Sequence, residues 1–401
     1  MSAADVGDPI LDPYDYDFHE DPYPYYKRLR DEAPVYRNDN LNFWALTRHA
    51  DVHRAFRNST ALSNKLGVSL DPISRTPESY RTMSFLAMDD PGHLRLRTLV
   101  SKGFAPRRIR ELEPRVLQLT HEHLDTALEN KSFDYITEFA SLLPMDVISE
   151  LVGVPRQDRQ HLRSLADAVM HREDGVSDVP QTALVAAMDL LVYYADMVKR
   201  RRTMPADDLT SALLEAEIDG DRLGDDEIMA FLFLMVVAGN ETTTKLLGNA
   251  MYWGARNPDQ IASVHADHSL IPLWVEETLR YDTSSQILAR AVSKDIVFHN
   301  TTLHEGDTLL LVPGSAHRDE RVFDDPDEFR IGRDIGSKLL SFGSGAHFCL
   351  GAHLARMEAR VALAELFNRI ESYQVDDTKA VRVHSSSVRG FAHLPITVKK
   401  S

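Results

Sequence analysis

Most of the chain carries apolar residues at the three- and four-residue spacing that places them on one face of a helix. The pattern extends from Glu111 to Arg202, and a second long helix is predicted to begin near Asp225. The predicted breaks in the first region are Lys131–Phe133, Pro144, Pro155 and Gly175–Pro180. The longest apolar run, Ile228 to Gly239, has about twelve residues, whereas a bilayer span needs ~20, so it predicts a buried core helix.

Segments with strand character are few and short. Val35–Tyr36 and Phe43–Thr47 predict a β-hairpin that turns at Asn38–Asn40, followed by a helix from about His49 to Asn58. Residues 62–87 have few periodic apolar positions and predict a long irregular loop, which in a compact domain is often functional. The whole pattern therefore predicts a mainly α fold with small β-sheets.

Neither the composition nor the order of segments marks a boundary inside the chain. No Gly/Ser- or Pro-rich linker, low-complexity tract or internal repeat is visible, so we expect residues 1–401 to form a single domain. The single cysteine excludes an internal disulfide and indicates a reducing compartment, and Met1–Asp5 lacks the features of a signal peptide. A net charge of −16 argues against a nucleic-acid binder. We therefore expect a cytoplasmic protein that binds neither nucleic acid nor membrane.

The one cysteine, Cys349, lies in the loop Ser-Phe-Gly-Ser-Gly-Ala-His-Phe-Cys-Leu-Gly-Ala, residues 341–352. A helix-forming, mostly apolar run follows, from Ala352 to Phe367. Cys349 is therefore predicted just ahead of a helix N-terminus, where free amide N–H groups and the helix dipole stabilise an anionic sulfur. The glycines of the loop let the backbone approach a large flat ligand.

The pattern Phe-Gly-x-Gly-x-His-x-Cys-x-Gly resembles the haem-binding loop of the cytochromes P450, in which the cysteine thiolate is the axial ligand of the haem iron. The resemblance extends from about residue 10 to the end of the chain. It implies the cytochrome P450 fold and haem b bound through the thiolate of Cys349. The other loop residues that it assigns to the haem site are Phe342, Gly343, His347 and Gly351.

Polar residues interrupt the apolar helix at Ala238-Gly239-Asn240-Glu241-Thr242-Thr243, where they are costly unless they are bonded or functional. The Thr242 hydroxyl can bond the carbonyl of Ala238 one turn back, which loosens the helix, and Gly239 lets another group approach. The segment resembles the acid–alcohol pair of the P450 helix that crosses the haem face where O2 binds. The resemblance implies that Glu241 and Thr242 are the catalytic pair and that Ala238 and Gly239 border the haem.

Two further motifs carry charged side chains. His93 and Arg97, four residues apart, share one face of a helix, as a carboxylate-bearing ligand requires. A helix also brings Glu277 and Arg280 into contact, although most such pairs are surface salt bridges. The P450s have both motifs. The resemblance implies that the two haem propionates are held by His93, Arg97, Arg290 and His347.

The substrate pocket is expected beneath the 62–87 loop, and the break near Gly175 corresponds in the resemblance to the mobile loop that closes it. The candidate wall residues are mostly apolar, which suits a lipid, terpenoid, steroid or aromatic substrate without choosing among them. They are Phe85, Leu86, Val237, Ala238, Gln286, Ile287, Leu288 and Val388.

The function that the resemblance implies is that of a monooxygenase, which activates O2 at the haem and oxidises a C–H bond of an organic substrate. No flavin, nicotinamide or iron–sulfur motif is visible, so we expect electrons from a ferredoxin-type partner with its NAD(P)H-dependent reductase. A basic cluster is the predicted docking face of the protein, which we expect to be a monomer. The cluster comprises Lys102, Arg107, Arg108, Arg110 and Arg115, with Arg356 on the same face.

Two other classes of protein stay open at this point. A cysteine hydrolase could use Cys349 with His347 or His353 as its base, but the His93–Arg97 and Glu241–Thr242 motifs would then have no role. A haem-thiolate sensor or carrier would bind a ligand without turnover and would not need the acid–alcohol pair. An intense haem absorption band separates the hydrolase from the other two classes. Substrate-dependent oxygen consumption separates the enzyme from the sensor.

Overall fold

The computed structural model describes residues 11–104, 106–173, 176 and 178–401. The α-helices of this part of the chain are α1 (Tyr16–Glu20), α2 (Tyr23–Glu32), α3 (His49–Phe56), α4 (Tyr80–Met83), α5 (Gly92–Ser101), α6 (Pro106–Ala127), α7 (Leu142–Val152), α8 (Arg159–Met170), α9 (Gln181–Thr203), α10 (Leu209–Glu215), α11 (Asp225–Ala255), α12 (Pro258–Ala266), α13 (Ile271–Tyr281), α14 (Pro313–Ala316) and α15 (Ala352–Arg369).

The strands are short, and most belong to small sheets. They are β1 (Val35–Asn38), β2 (Phe43–Leu46), β3 (Leu62–Ser63), β4 (Ser132–Asp134), β5 (Glu217–Ile218), β6 (Asp221–Arg222), β7 (Leu288–Val292), β8 (Ile296–Phe298), β9 (Thr301–Leu303), β10 (Thr308–Leu311), β11 (Ile370–Val375), β12 (Val381–Arg382), β13 (Phe391–His393) and β14 (Pro395–Lys400). The prediction of a mainly α fold with small sheets is confirmed.

The 31-residue helix α11 is the centre of the helical part. Its first turn carries three acidic residues, which complement the positive end of the helix dipole, and Glu227 accepts a hydrogen bond from the amide of Gly224 at 2.9 Å. Most of its later side chains are buried, because α7, α8, α9, α13 and α15 all pack against it. None of the helices in the described ranges has both the length and the apolar composition needed to cross a membrane.

The largest sheet lies beside this helical part, with the strand order β1-β2-β10-β7-β3. The predicted hairpin is confirmed, since β1 and β2 pair antiparallel with Val35 opposite Leu46. Strand β7 follows α13 and carries Arg290, which lies opposite Leu309 of β10.

Two sequence predictions about loops are wrong in detail. The 62–87 segment is not wholly irregular, because it contains β3, α4 and two 3₁₀ turns, Pro72–Ser74 and Ser84–Ala87. These elements are too short to show a hydrophobic period.

The predicted helix break at Pro144 is not found. This proline lies in the first turn of α7, where its missing N–H is not needed. The predicted breaks at Lys131–Phe133 and Pro155 do separate helices, and Gly175 lies outside the described residues.

A buried ion pair connects α13 to the segment that precedes the Cys349 loop. Glu277 and Arg280, both fully buried, are 2.7 Å apart. Glu277 Oε1 also accepts the amide of Arg330 at 2.7 Å, and Arg280 Nη1 donates to the carbonyls of His317 and Pro326. The motif is therefore a cross-link that holds the polypeptide leading to Cys349 against the helical core.

Candidate active site

Two neighbouring cavities lie along α11. The first, of about 260 Å³, is enclosed between the middle of α11 and the loop from Ser341 to Gly351. The second, of about 470 Å³, lies towards the 62–87 segment and α9. Both are bordered by Ala238 and Thr242, and Ala238 is exposed although it lies in the middle of a core helix. Because these two residues belong to both walls, the cavities meet at the polar interruption of α11.

Cys349 lies inside the protein on the wall of the first cavity, opposite α11, and its side chain borders the open space of that cavity. Its amide donates to the carbonyl of Phe342 at 2.9 Å, and the loop turns through Gly343 and Gly345, whose φ angles are +70° and +76°. Only glycine adopts such angles without strain. The sulfur is thereby presented ahead of α15, as predicted.

The surroundings of the Cys349 thiol shift its pKa in opposite directions. Burial raises the pKa of Cys349, whereas hydrogen bonds from the amides of Gly351 and Ala352 and the charges of Arg97 and Arg356 lower it. A sulfur near two amides and two cations that favour its ionised form is suited to ligating a metal ion as the thiolate.

One edge of the first cavity is cationic. Arg290 is buried, which lowers its pKa to about 10, and burial with the nearby cations lowers the pKa of His347 to about 3. Arg97 Nη1, His93 Nε2 and His347 Nδ1 are buried and have no hydrogen-bond partner among the described residues. The ring centroids of His93 and His347 are 4.0 Å apart. Both histidines and Arg290 also line a small cavity beside the first one.

The unpartnered donors show whether the cavity fits the expected cofactor. Buried donors without acceptors cost about 1–3 kcal/mol each unless a ligand accepts from them. A flat ligand with two carboxylates at one edge and a metal ion at its centre would take up the donors of Arg97, His93 and His347 and would reach the sulfur of Cys349. The residues therefore fit haem.

The acid–alcohol pair lies where the two cavities meet. Thr242 Oγ1 donates to the carbonyl of Ala238 at 2.9 Å, as the sequence predicts, and the carbonyl of Thr242 accepts from Ser284 Oγ at 2.8 Å. Glu241 lines the second cavity but is only 7 % exposed, and its Oε2 lies 3.1 Å from the ammonium of Lys245. The hydroxyl of Thr242 thus borders the cavity that Cys349 faces, and the carboxylate of the preceding residue borders the neighbouring cavity.

Most of the predicted wall residues do line a cavity, but the prediction for Gln286 is wrong. Its amide points into the protein, where Oε1 accepts from the Tyr26 hydroxyl at 3.2 Å and Nε2 donates to the carbonyl of Thr283. The neighbours Ser285 and Ile287 face the cavity instead, because side chains alternate along an extended segment. The predicted wall residues that line one of the two cavities are Phe85, Leu86, Val237, Ala238, Ile287, Leu288 and Val388.

Sequence reasoning missed an ion pair on the wall of the second cavity. Arg172 Nη2 lies 2.7 Å from Asp71 Oδ2, and Asp71 also accepts from the hydroxyls of Ser69 and Ser386. Asp71 is 1 % exposed, so the pair is a buried connection between the 62–87 segment, the end of α8 and the C-terminal region. About a hundred residues separate the partners, and no local pattern signals such a contact.

The fold and the site together define a haem-thiolate protein, with Cys349 opposite an acid–alcohol helix and donors for two propionates. Comparisons with known proteins agree. The family model described as "Cytochrome P450" matches residues 181–392. A protein of Mycobacterium tuberculosis named "Putative cytochrome P450 123" is 71 % identical over 396 residues, 98 % of each chain.

Two further relatives carry more specific names. The "Vitamin D(3) 25-hydroxylase" of Pseudonocardia autotrophica is 36 % identical over 412 residues, 99 % of each chain. The crystal structure of CYP109E1 from Bacillus megaterium in complex with corticosterone is 30 % identical, with a TM-score of 0.84 over 95 % of this chain and 99 % of that one. The chain therefore belongs to the cytochrome P450 family, and it is a monooxygenase that uses haem b with the Cys349 thiolate as axial ligand. These relatives give no support to a cysteine hydrolase or to a haem-thiolate sensor.

Proposed function

We propose that residues 1–401 act as a single domain that hydroxylates or otherwise oxidises an electrically neutral, largely apolar molecule of the lipid, terpenoid, steroid or aromatic type. The observation that carries the proposal is the 470 Å³ cavity, which shares Ala238 and Thr242 with the cavity of Cys349. Its volume is within the range of about 300–1,000 Å³ that is typical of small-molecule sites. A molecule bound there would have an atom beside Thr242, next to the haem.

The charges in this cavity favour a neutral ligand. Asp71 accepts from Ser69, Ser386 and the guanidinium of Arg172, which already satisfies most of the lone pairs of the carboxylate. Arg172 also donates to the carbonyls of Val169 and His171. The ion pair therefore has little capacity for a charged substrate. Corticosterone and vitamin D3, named with two relatives, are neutral and apolar, and they support a molecule of that size.

The residues around the two cavities would have separate roles in the reaction. Haem, once bound through Cys349, supplies the activation of O2. Arg97, Arg290, His93 and His347 would hold the carboxylates of the haem and fix its plane in the first cavity. The apolar wall would hold the substrate against Thr242 and exclude water. Thr242 Oγ1 would hold a proton at the boundary of the two cavities, and Glu241 would replace that proton.

Electrons would enter from the Cys349 side through a ferredoxin-type partner with its NAD(P)H-dependent reductase. Helix α6 packs on α15, the helix that follows Cys349, and the ion pair of Arg360 with Glu113 joins them at 2.7 Å. This placement supports the basic start of α6 as the docking face.

Not all of the predicted basic cluster is available to a partner. Arg107 pairs with Glu111 at 2.9 Å, Arg115 with Glu150 at 2.5 Å and Arg356 with Glu276 at 2.5 Å. The side chain of Lys102 lies outside the described residues. Arg108 and Arg110 are exposed and form no ion pair within the described ranges. We therefore centre the proposed docking face on these two arginines. The protein is proposed to work as a cytoplasmic monomer, in keeping with its single cysteine.

Spectral titration of the holoenzyme tests the substrate class. The panel contains a steroid ketone, a terpenoid alcohol, an alkylbenzene and a fatty alcohol, with the matching fatty acid as the charged counterpart. We expect the neutral compounds to shift the haem band, the acid to bind more weakly than the alcohol, and bound compounds to yield oxygenated products. Val237→Phe fills the cavity and should abolish the shift, while Val185→Phe, at a 48 % exposed position of α9, should not. Equal responses in both variants would contradict the proposed pocket.

A further inference from the structure

Part of the wall of the second cavity is polar, and the proposed binding of an apolar molecule does not use it. Ala238 and Leu288 border both cavities, whereas Asp71, Ser385 and Ser386 border only the second. We propose that Ser385 and Ser386 bind a hydroxyl group of the substrate, which is therefore an alcohol that is oxidised at a carbon away from this hydroxyl. The inference rests on the proposed function, because it places the substrate in the second cavity.

The hydroxyl of Ser386 is oriented by Asp71. Ser386 is 4 % exposed, and its Oγ donates to Asp71 Oδ1 at 3.3 Å. A serine hydroxyl has one hydrogen to donate and two lone pairs that accept. Because the carboxylate of Asp71 takes the hydrogen, the oxygen of Ser386 is left to accept from a ligand. Asp71 is itself held by Arg172 Nη2 at 2.7 Å and by Ser69 Oγ at 2.6 Å, so it is a positioning residue for Ser386.

The hydroxyl of Ser385 has the opposite capacity. Ser385 is 6 % exposed, and its Oγ accepts from the amide of Val388 at 3.2 Å and from that of Ser387 at 3.4 Å. Both of its lone pairs are then occupied, and no acceptor within the described ranges takes its hydrogen. Ser385 is therefore left to donate to a ligand.

The two serines together match the hydrogen bonding of an alcohol. The chain bends at Ser386, and both residues line the same cavity. An alcohol oxygen accepts from Ser385 while its hydrogen is donated to Ser386. A ketone or an ether can only accept, so it would use Ser385 alone, and a hydrocarbon would use neither. A carboxylate would meet the negative charge of Asp71, which disfavours an acid.

Other hydroxyls of the wall are less suited to this role. Ser79 Oγ donates to a backbone carbonyl at 2.6 Å, and Thr82 Oγ1 donates to the carbonyl of Ser79 at 3.3 Å. Ser285 and Ser387 are half-buried, and no hydrogen bond from the part of the chain that the structure describes fixes their hydroxyls. A hydroxyl that turns freely loses rotational freedom when it binds, whereas Ser385 and Ser386 are already held.

The position of the two serines also predicts where the substrate is oxidised. Ala238 and Thr242 form the border between the second cavity and the first, which fits haem. A molecule held by its hydroxyl at Ser385 and Ser386 reaches this border with another part of its skeleton. One oxygen atom of O2 then converts a C–H bond of that part to C–OH. The other atom leaves as water, with two electrons from the ferredoxin-type partner and two protons from solvent.

Spectral titration of the holoenzyme with matched compounds tests the inference. The compounds are a saturated steroid alcohol with its hydroxyl on ring A, the ketone and the methyl ether of this alcohol, and the parent hydrocarbon. We expect the alcohol to bind about tenfold more tightly than the hydrocarbon, with the ketone and the ether in between. The alcohol should be oxidised mainly on the rings remote from its hydroxyl, as mass spectrometry of the products shows.

The serine variants separate the two hydrogen bonds. Ser386→Ala should weaken the alcohol about fivefold, to the level of the ketone, and leave the ketone unchanged. Ser385→Ala should weaken alcohol, ketone and ether relative to the hydrocarbon, and this ratio cancels any general change in the cavity. The double variant should also spread oxidation over more positions of the alcohol. Ser164→Ala, at an exposed position of α8, is the matched control and should behave as the wild type.

Asp71→Asn tests the positioning role of the carboxylate. An amide can donate as well as accept, so it no longer reserves the oxygen of Ser386 for a donor on the ligand. The ratio of alcohol affinity to ketone affinity should therefore fall towards one. A purely structural role of Asp71 would weaken both compounds equally and leave this ratio unchanged, which would contradict the positioning role.

The outcomes distinguish this inference from the proposed function. If the wild type binds the hydrocarbon as tightly as the alcohol, or if Ser386→Ala leaves the alcohol-to-ketone ratio unchanged, the inference is wrong and the proposed apolar pocket stands. If no compound of the set shifts the haem band, or if Val237→Phe leaves every shift unchanged, the proposed function itself fails. Equal haem content in all variants shows that folding is not the cause.

Discussion

Arg97 Nη2 donates a hydrogen bond to the carbonyl of Phe348, the residue that precedes the only cysteine of the chain. One arginine therefore joins α5 to the loop that presents the sulfur, while its Nη1 remains buried without a partner among the described residues. We propose that the guanidinium binds the loop with one nitrogen and a haem carboxylate with the other.

We expect Arg97→Leu to weaken haem retention. The variant loses a charge-assisted hydrogen bond to a propionate, worth about 1.5–3 kcal/mol, and also releases the carbonyl of Phe348. The measurement is the urea concentration at which half the haem is lost. Arg95→Leu is the control, since Arg95 lies on the same helix but pairs with Asp221 and Glu227. Equal haem loss in the two variants would show that Arg97 has no special role.

The fully buried pair Glu277–Arg280 should be important for stability. Glu277→Gln leaves the guanidinium of Arg280 in the interior without its charge partner, and we expect it to lower the free energy of unfolding by about 3–5 kcal/mol. Chemical denaturation measures the loss. Glu32→Gln breaks an exposed pair with Arg28, also on a helix, and should cost about 0.5 kcal/mol or less. The interpretation fails if the two substitutions cost the same.

Thr242→Ala should separate oxygen consumption from product formation. The variant removes the hydroxyl that lies on both cavities, so protons are supplied less well and more of the consumed O2 is released as hydrogen peroxide. The ratio of product to O2 consumed should fall by ~10²-fold with any panel compound that the wild type oxidises. Thr242→Ser keeps the hydroxyl and should recover most of the coupling. An unchanged ratio in the alanine variant would remove Thr242 from the proposed relay.

Charge reversal at Arg108 and Arg110 should slow the first electron transfer. Electrostatic steering raises association rates by 10-fold or more, and it is screened over ~8 Å at physiological salt. We expect Arg108→Glu with Arg110→Glu to lower the reduction rate by about tenfold at low salt and to flatten its dependence on ionic strength. Ligand titrations should not change.

The control for that measurement carries the same change in net charge elsewhere. Lys131→Glu with Lys294→Glu reverses two exposed lysines, one beyond the far end of α6 and one in the turn after β7. If this pair slows reduction as much as the α6 pair does, only the net charge matters and the docking face lies elsewhere.

His19 should make stability depend on pH. Burial lowers its pKa from 6.5 to about 4, and a ring nitrogen lies 2.9 Å from the carbonyl of Pro13. The unfolded chain therefore binds a proton more readily than the folded one, so stability is lost as the pH falls from 6.5 towards 4. The full loss from this residue is about 3 kcal/mol.

His19→Gln cannot titrate and should lose correspondingly less stability over this window when thermal unfolding is followed against pH. His161→Gln, at an exposed position of α8, should behave as the wild type does. Parallel curves for wild type and His19→Gln would contradict the assignment.

The parts of this protein that its sequence alone determined are those decided within a few residues. The glycines around Cys349 and the apolar run after it predict a turn and a helix from local backbone preferences, and the structure has both. The hydroxyl bond of Thr242 to Ala238 follows from helix geometry, because residues four apart are neighbours.

Tertiary structure alone decided which side chains face each other across the fold. The prediction for Gln286 failed because only the packing of Tyr26 and Thr283 shows which side of the extended segment is inside. Likewise the contact of Asp71 with Arg172 joins segments far apart in the sequence. Such contacts depend on how helices and loops pack, which no local pattern of hydrophobic and polar residues records. The sequence therefore predicts the haem ligand and its helix, whereas the lining of the pocket depends on the folded chain.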